Sequence, residues 1–369
     1  MEDKPIRVLQ IMGIVESGGV EAVIMNYYKH IDKSKVQFDF VMHKGSNPDY
    51  IAKVKAMGAR VYEVTPYSNP ISFMKDVYKI IKQGDYRIVH SNMNALSVFP
   101  LFAAYVAGVP VRILHNHTTD TKAEPLRTFI KRLLRPFAKL FANQYWACSE
   151  LAGEWMYGKN AVERGKVRVI NNAIDLQKFA FNQEKRDDLR KELGLENCFV
   201  VGHVGRFVQT KNHAFLVNVF VELLKSIPNA KLLLVGDGPL KKHIENKVAQ
   251  LGLGDKVIFT GVRSDVADLY NAMDVFALPS FYEGLPVVGV EVQDNGLPFI
   301  CSSNITKEIL ITRRVELLDL NKGVQVWQTA ICKYANQVRT KADADIVNSG
   351  FDITVEAKKL GKIYGALVK

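Results

Sequence analysis

The chain has 369 residues, of which 48% are hydrophobic and 24% are charged, and its 49 Lys and Arg outweigh its 38 Asp and Glu to give a net charge of +11. This length and composition predict two domains with ordinary apolar cores, and they exclude a disordered chain and a small disulfide-stapled scaffold. A positively charged protein can bind nucleic acid, an anionic membrane surface or a phosphorylated substrate, and composition alone does not distinguish among these partners.

The cysteines and the N-terminus indicate a cytoplasmic protein. The four cysteines stand far apart, with no CxxC pair and no histidine at ligand spacing, which is typical of a reducing compartment and argues against a zinc site. Residues 1–10 are rich in charge and lead into a strand-like stretch, so no secretion signal is expected. The longest uncharged run, 95–111, contains two prolines and predicts a buried helix and turn.

Short β-branched runs alternate with amphipathic stretches along the chain, a pattern typical of βα units and parallel sheets. Most of these runs end in small or polar residues, where an open parallel sheet places its functional loops. The predicted strands of the first half are 6–13, 37–43, 60–65, 87–92, 111–117, 144–149 and 167–171. Those of the second half are 199–207, 231–236, 256–260, 275–279 and 298–302.

Turn residues followed by a polar stretch separate the two sets of strands and predict a domain boundary. We predict a first domain over 1–178, a second over 179–350 and a helix over 351–369 that crosses back to the first domain. Both domains are expected to be α/β, with doubly wound, Rossmann-like parallel sheets facing a central cleft.

A glycine-rich turn follows the first predicted strand. It contains Gly13, Gly18 and Gly19 and precedes an amphipathic helix, whose free N–H groups suit a phosphate. An ordinary βα turn explains these glycines as well. Because their spacing matches neither the Walker A nor the dinucleotide pattern, a dehydrogenase is disfavoured.

Two histidines end the fifth predicted strand. His115 and His117 alternate with Asn116, so we expect both imidazoles on one side of the strand. Such a pair can supply metal ligands, a base or hydrogen bonds within the core. Without a third ligand nearby, a metal site is not expected.

Two cations follow the first strand of the second domain. Arg206 and Lys211 lie five residues apart across a turn, so both can converge on one diphosphate. Two solvated surface cations explain this pair equally well.

Two glutamates flank the start of a helix predicted after residue 279. Glu283 lies just before the helix, Gly284 lets the backbone approach a ligand, and Pro286 suits the first turn. Glu291 follows eight residues after Glu283, so both carboxylates can face one cleft, with the helix start available for a phosphate. Alternatively, Glu283 caps the helix and Glu291 lies on the surface. This alternative does not explain why a charged residue interrupts an otherwise apolar helix.

The segment 121–146 is basic and rich in large apolar residues. Its cations recur every fourth residue as Arg127, Lys131, Arg135 and Lys139, a stripe that suits an anionic membrane leaflet. An ordinary surface helix whose apolar face covers the first sheet explains the pattern equally well. Pro136 is expected to kink or split this helix.

Several of these motifs, in this order and spacing, resemble family 4 of the retaining glycosyltransferases, which have the GT-B fold and include bacterial capsular and exopolysaccharide enzymes. The resemblance spans nearly the whole chain. The motifs that carry it are Gly18-Gly19-Val20-Glu21, Asn172 to Asp175, Gly205-Arg206 to Lys211-Asn212, Gly236-Asp237-Gly238-Pro239, Glu283 with Glu291, and Gly296 to Pro298.

The resemblance implies roles for the residues of the second domain. Arg206 and Lys211 would bind the donor diphosphate and stabilise it as it leaves, which requires no metal. The backbone at Gly284 and Leu285 would contact the phosphate.

It also implies contacts to the rest of the donor. Glu283 would bind hydroxyls of the donor sugar and Glu291 the ribose, while Val262 and Arg263 would border the base.

In the first domain, the resemblance implies that Gly18 and Gly19 close on the diphosphate. His117 occupies the position at which such enzymes place a histidine near the anomeric carbon, and we favour it over His115.

The function implied is a metal-independent hexosyltransferase, with no cofactor beyond its substrate. It would transfer a sugar from a nucleoside diphosphate, UDP by expectation, to a polysaccharide or lipid-linked acceptor at the inner face of the plasma membrane. A nucleotide-sugar epimerase of the same fold is one alternative. A basic, non-catalytic nucleic-acid binder is another, but no helix-turn-helix, zinc finger or RNA-binding aromatic motif supports it, so we expect no nucleic-acid partner.

Overall fold

The structure is a computed structural model that describes residues 4–16, 18–118, 125–335, 337, 339 and 345–368, with the backbone alone at 125–128, 345 and 347. The chain divides into two compact units, Met1–Ala173 with Ile353–Lys369 and Ile174–Asp352. This division differs from the predicted boundary after residue 178. The backbone N–H of Ile174 donates to Phe351 O at 2.9 Å, and Ile174 forms a β-bridge with Asp352, which attaches the turn after Ala173 to the second unit.

The first unit contains a seven-stranded sheet in the order β3-β2-β1-β4-β5-β6-β7, with all neighbouring strands parallel. Each strand predicted in the first half of the chain is confirmed. The strands are β1 (Ile6–Ile11), β2 (Val36–His43), β3 (Val61–Val64), β4 (Ile88–Ser91), β5 (Val111–Asn116), β6 (Gln144–Ala147) and β7 (Val167–Val169).

Burial on both faces explains why the inner strands are apolar runs, since helices cover a parallel sheet from both sides. All residues of β2 are buried, including the carboxylate of Asp39. Arg7 contacts both oxygens of that carboxylate, at 2.7 and 2.5 Å, and the hydroxyl of Tyr86 donates to it at 2.7 Å. Asp39 is therefore a satisfied structural charge within the sheet.

Helices connect these strands. The uncharged run 95–111 forms a short 3-10 helix, Asn94–Ser97, then α4 and a turn, and this confirms the predicted helix and turn. Helix α5 runs without a break through Pro136, so the predicted split is absent. The α-helices are α1 (Gly19–His30), α2 (Pro48–Ala56), α3 (Pro70–Gly84), α4 (Val98–Val106), α5 (Pro125–Phe141), α6 (Glu150–Tyr157) and α7 (Lys159–Glu163).

The second unit contains a six-stranded parallel sheet in the order β10-β9-β8-β11-β12-β13. The strands predicted in the second half of the chain are confirmed, and the last strand was not predicted. Its residues are only half-buried and include Glu316, so it lacks a clear apolar run. The strands are β8 (Phe199–Val204), β9 (Ala230–Val235), β10 (Val257–Gly261), β11 (Val275–Leu278), β12 (Phe299–Ser302) and β13 (Val315–Leu318).

The helices of the second unit cover its sheet, and a buried core that includes Phe220 and Trp327 joins helices to strands. The α-helices are α8 (Leu176–Phe179), α9 (Gln183–Glu192), α10 (His213–Ser226), α11 (Lys241–Gln250), α12 (Val266–Ala272), α13 (Val287–Asp294), α14 (Val324–Cys332) and α15 (Asp345–Asn348). Short 3-10 helices are formed by Gln209–Lys211, Lys307–Ile309 and Leu320–Lys322.

The last helix, α16 (Ile353–Leu367), groups with the first unit and packs against α1. Its Tyr364 is fully buried, and the ring centroid lies 5.9 Å from that of Phe38 and 5.6 Å from that of Trp146. The first unit is thus built from both ends of the chain. Within the residues described, no helix combines the length and the apolar character needed to cross a membrane.

Candidate functional site

Each sheet has one position at which the strand order reverses, and ligands of open α/β sheets bind outside the carboxyl ends of the strands at that position. In the first sheet it lies between β1 and β4, and in the second between β8 and β11. Most of the predicted site residues follow these strands or their neighbours, whereas Val262 and Arg263 follow β10 at one edge of the second sheet. We describe the two units separately.

In the second unit, the loop after β8 contains Arg206, whose side chain is exposed. Two glycines after β9 allow a close approach to this loop. At Gly236 (φ 132°) a Cβ atom would lie 2.2 Å from Gly205 O, and at Gly238 (φ 157°) it would lie 2.7 Å from the backbone of Phe207. Larger residues cannot fit there, so these glycines fix the backbone around Arg206.

Lys211 and Glu283 form an ion pair beyond the carboxyl ends of the strands in this unit. Lys211 Nζ lies 2.6 Å from Glu283 Oε1, and the same oxygen accepts a hydrogen bond from Ser280 Oγ at 3.0 Å. The two charged side chains are 17% and 19% exposed, so they are partly shielded from water. The structure therefore brings together two residues that the sequence placed after different strands.

Glu283 lies before α13, and Pro286 occupies the N-cap position rather than the predicted first turn. Gly284 and Leu285, the proposed phosphate-contacting pair, are buried. The loop that contains Gly284 and Leu285 and the start of α13 therefore lie next to the Lys211–Glu283 ion pair.

Glu291 lies on α13 and accepts a hydrogen bond from the hydroxyl of Tyr270, at 2.6 Å from Oε2. Burial raises the pKa of this carboxyl, while the Tyr270 hydrogen bond and the positive charge of Lys178 lower it. Tyr270 was not predicted, because a buried tyrosine on a helix has no distinguishing signal in the sequence.

The loop after β10 contains the two residues expected to border the base. Val262 is 63% exposed. The guanidinium of Arg263 forms a two-point contact with Asp265, at 2.7 and 2.5 Å, and this contact raises its pKa. Asp265 therefore fixes the orientation of Arg263.

In the first unit, Gly18 is the N-cap residue of α1 and Gly19 is its first residue. A Cβ atom on Gly18 would lie 2.4 Å from a carboxylate oxygen of Glu21. That carboxylate folds back over the helix start and accepts from the backbone N–H of Glu16 at 3.4 Å. The helix start expected to bind a phosphate thus adjoins an acidic side chain.

The two histidines after β5 lie side by side, as expected, with ring centroids 4.0 Å apart. His117 is half-buried, and its Nε2 lies 2.9 Å from Asn92 Oδ1. Desolvation lowers the pKa of His117 to about 3, so the ring is neutral at physiological pH. Residues 121–124 of the predicted basic segment lie outside the described residues, and so does the side chain of Arg127.

His115 belongs to a buried group that the sequence did not reveal. Its Nδ1 lies 3.0 Å from Nε2 of His90, and His90 Nδ1 lies 2.7 Å from the Tyr364 hydroxyl. Desolvation lowers the pKa of both histidines well below the ordinary value. Gln10 and Asn92 complete the group.

Among the residues that the structure describes, no cluster of three or more His, Cys, Asp or Glu side chains is placed to bind a metal ion.

Two family models match the chain, one in each half. The model described as Glycosyltransferase Family 4 matches residues 17–178, and the model described as Glycosyl transferases group 1 matches residues 185–311.

Relatives match over nearly the full length. The chain is 35% identical to a Bacillus subtilis protein named as glycosyltransferase EpsF, over 99% of this chain and 97% of that protein. It is 26% identical to the Escherichia coli UDP-Gal:alpha-D-GlcNAc-diphosphoundecaprenol alpha-1,3-galactosyltransferase, over 96% of this chain and 95% of that enzyme.

Solved structures share the fold. The Anabaena protein HepE, crystallised with UDP-glucose, aligns with a TM-score of 0.79 at 19% identity, over 98% of this chain and 99% of that chain. The lipopolysaccharide glycosyltransferase WaaG aligns with a TM-score of 0.69 at 15% identity, over 97% and 95%. With its two Rossmann-like sheets and these relatives, the chain is a glycosyltransferase of the GT-B fold that belongs to glycosyltransferase family 4.

Proposed function

We propose that this glycosyltransferase transfers a hexose from UDP, with retention at the anomeric carbon, to a lipid-linked or polysaccharide acceptor in surface polysaccharide synthesis. The observation that best supports the proposal is the Lys211–Glu283 ion pair at the strand edge where the second sheet reverses its order. The Escherichia coli relative, by its name, uses a UDP-galactose donor and a diphosphoundecaprenol-linked acceptor, which agrees with these substrate classes.

Lys211 suits a leaving diphosphate because an ammonium group has three N–H donors. One of them binds Glu283, at 2.6 Å, and the others can bind phosphate oxygens. The exposed guanidinium of Arg206 can add a two-point contact to the same anion. Negative charge on the diphosphate grows as the bond to the sugar breaks, so fixed cations stabilise the transition state more than the ground state.

The carboxylates suit the hydroxyl-rich parts of the donor. Glu283, fixed by Lys211 and Ser280, is proposed to bind hydroxyls of the sugar. Glu291, fixed by Tyr270, is proposed to bind the ribose. The backbone at Gly284 and Leu285 is proposed to contact the phosphate.

His117 suits a contact to the sugar near the reacting carbon because its imidazole is neutral. An oxocarbenium-like carbon gains positive charge in the transition state, and an imidazolium beside it would oppose that charge. The low pKa of His117, caused by desolvation, prevents this at physiological pH. Gly18 and Gly19 are proposed to approach the diphosphate through the backbone.

Calorimetric titration with UDP, UDP-glucose, UDP-galactose and GDP-mannose tests the donor. We expect binding of UDP and of a UDP-sugar, and loss of that binding in Lys211→Ala. Incubation of the bound donor with a lipid diphosphate-linked sugar should then release UDP and yield a product whose new bond has the anomeric configuration of the donor. Exclusive binding of a GDP-sugar, an inverted product, or epimerisation of the donor without transfer would each contradict the proposal.

We also propose that the protein attaches peripherally to an anionic membrane leaflet through α5. The side chains of Phe129, Leu133, Phe137 and Leu140 on this helix are 65%, 59%, 52% and 70% exposed. They recur at intervals of about one helical turn and form an outward apolar face, in contrast to a helix that buries its apolar residues.

The predicted cationic stripe does not lie on this face. Lys131, Arg135 and Lys139 are half-buried on the other side of the helix, and Arg135 donates to Trp155 O, with its guanidinium 5.7 Å from the ring centre of Trp155. Arg132 is exposed and lies nearer the apolar face. An apolar face with neighbouring cations binds acidic bilayers by insertion and by electrostatic attraction. Such attachment would place the enzyme beside a lipid-linked acceptor.

Vesicle sedimentation tests this attachment. We expect recovery with phosphatidylglycerol vesicles at low salt, weaker recovery with neutral vesicles, and loss in Leu133→Ser/Phe137→Ser. Ile71→Ser is the matched control, since Ile71 is 62% exposed on a different helix of the same unit. Equal recovery with neutral and anionic vesicles would contradict the proposal.

A further inference from the structure

A buried hydrogen-bonded group joins the C-terminal helix to His117. From His117 Nε2 the contacts run to Asn92 Oδ1 at 2.9 Å, from Asn92 Nδ2 to Gln10 Oε1 at 2.9 Å, and from Gln10 Nε2 to the Tyr364 hydroxyl at 3.3 Å. The same hydroxyl lies 2.7 Å from His90 Nδ1. Apart from the half-buried His117, these side chains are buried, so their hydrogen bonds have no competition from bulk water.

One backbone carbonyl oxygen and the contact between Gln10 and Tyr364 indicate the direction of this chain of hydrogen bonds. Asn92 Nδ2 lies 3.5 Å from the carbonyl oxygen of His90, and a carbonyl oxygen only accepts. The amide nitrogen of Asn92 therefore points toward that carbonyl and toward Gln10, and its oxygen points toward His117. A reversed Asn92 amide would place two oxygens against each other.

The orientation of Asn92 determines where the other hydrogen-bonding protons of the group lie. Since Asn92 presents an oxygen, His117 Nε2 must carry the proton of that hydrogen bond. Gln10 accepts from Asn92 through Oε1 and so directs Nε2 toward the Tyr364 hydroxyl, at 3.3 Å, and more weakly toward His90 Nδ1, at 3.5 Å. Tyr364 then donates its own proton to His90 Nδ1.

A neutral imidazole has one N–H proton. If this proton is on Nε2 of His117, Nδ1 has a free lone pair and can accept a hydrogen bond. Among the described residues, no hydrogen bond to that Nδ1 is observed. The neighbouring His115 cannot take this role, because it is 3% exposed and its Nδ1 already binds His90.

We propose that Tyr364 is a positioning residue that, through Gln10 and Asn92, holds His117 in the Nε2–H tautomer, so that Nδ1 accepts a hydrogen bond from a hydroxyl of the donor sugar. This inference rests on the proposed function for the identity of the ligand. The tautomer itself is a property of the protein without substrate. No covalent bond changes in this step, since the sugar keeps its proton and His117 keeps its own.

Nitrogen-15 NMR of histidine-labelled protein tests the tautomer. Long-range proton–nitrogen spectra separate the protonated from the unprotonated ring nitrogen, and the signals of His117 are identified by their loss in His117→Gln. We expect a neutral His117 protonated at Nε2 in the full-length protein. A ring protonated at Nδ1 would overturn the inference without requiring any variant to fold.

Tyr364→Phe tests the connection, because it removes the hydroxyl and keeps the buried ring. We expect a second His117 tautomer to appear and kcat to fall about tenfold, with the KM for the UDP-sugar within about twofold. Tyr28→Phe is the matched control. Tyr28 is also fully buried, packs 5.3 Å from Phe38 and donates to Met57 O at 3.0 Å, but it has no contact with Gln10 or His90 among the described hydrogen bonds.

The control should lose a similar amount of thermal stability and keep the native His117 tautomer and kcat. If Tyr364→Phe kept both the tautomer and kcat, or if Tyr28→Phe changed them equally, Tyr364 would be a structural residue only. Gln10→Met breaks the same path at another position and replaces Tyr364→Phe if that variant does not fold. Absence of any nucleotide-sugar binding would instead refute the proposed function. The His117 tautomer of the substrate-free protein would still be measurable by NMR, so the two failures are distinguishable.

Discussion

The predicted site residues of the first unit include neutral imidazoles, whereas those of the second unit include an ion pair. In the first unit, His90, His115 and His117 share one hydrogen-bonded region in which desolvation keeps the rings uncharged. In the second unit, Lys211 and Glu283 keep opposite charges in a partly exposed ion pair. Both sites lie at the same kind of topological position in a parallel sheet.

This difference shows that topology selects where a ligand binds while local solvation selects the chemistry. Desolvation keeps these imidazoles uncharged, which suits hydrogen bonding to a sugar that becomes cationic. The partly exposed ammonium group of Lys211, paired with Glu283, suits a departing diphosphate. The comparison predicts that charge changes will act on the second unit and that acid will act on the buried histidines.

The largest effect is expected for removal of the cation. Lys211→Met should reduce kcat for sugar transfer by about a hundredfold or more, because the leaving diphosphate loses a fixed positive charge. Glu283→Ala should also keep the fold and lose turnover. Lys225→Met is the control, since Lys225 forms an exposed ion pair with Glu222 at 2.8 Å. Steady-state assays of sugar transfer measure the kcat of each variant. Full activity in Lys211→Met would show that the diphosphate does not bind at Lys211.

Acid should affect the buried histidines next. The pKa of His115 lies well below 6.5 in the folded protein, so between these values only the unfolded chain takes up the proton and stability falls as pH falls below about 6.5. One such histidine contributes about 1.4 kcal/mol to the loss at pH 5.5. His115→Gln should therefore reduce the stability difference between pH 7.5 and 5.5 by that amount.

Urea unfolding at the two pH values measures this difference. Tyr28→Phe is the comparison variant, because Tyr28 is buried in the same unit and burial raises its pKa to about 12, outside this pH range, so the variant should retain the pH dependence of the unmodified protein. An unchanged pH dependence in His115→Gln would show that His115 does not resist protonation in the folded state.

A smaller effect is expected at Glu291. Tyr270→Phe removes a hydrogen bond that lowers the pKa of this carboxyl, so its pKa should rise and more of it should be protonated at mildly acidic pH. We expect UDP to bind about fivefold more weakly at pH 6, and less affected at pH 8, as loss of one hydrogen bond implies. Calorimetry measures both, with Tyr334→Phe as a control in the same unit. Equal weakening at both pH values would separate Glu291 from the effect.

Much of the fold was accessible from the sequence because parallel strands are apolar runs with polar ends. The same property located Arg206, Lys211, Glu283 and His117, since residues that follow parallel strands meet at one edge of a sheet. β13 escaped prediction because half-buried strands have weaker apolar patterns. The predicted boundary after residue 178 lies a few residues beyond Ala173, where the main segment of the first unit ends, because Ile174 pairs with Phe351 and Asp352, which are far away in the sequence.

The buried polar group of the first unit could not be predicted. Gln10 and Tyr364 are 354 residues apart in the chain, and only the docking of the last helix brings their side chains together. A tyrosine on an amphipathic helix is most simply a core residue, and its hydroxyl gains meaning only from partners that the fold supplies.

The docking of α16 on the first unit has a consequence for biosynthesis. A ribosome makes β1 long before Tyr364, so the nascent first unit lacks a buried aromatic residue and a hydrogen-bonding hydroxyl until the whole of Ile174–Asp352 has been made. The continuous stretch Ile174–Asp352 has no such dependence on either terminus. The later-encoded half can therefore finish folding before the earlier one, which reverses the usual vectorial order of folding during synthesis.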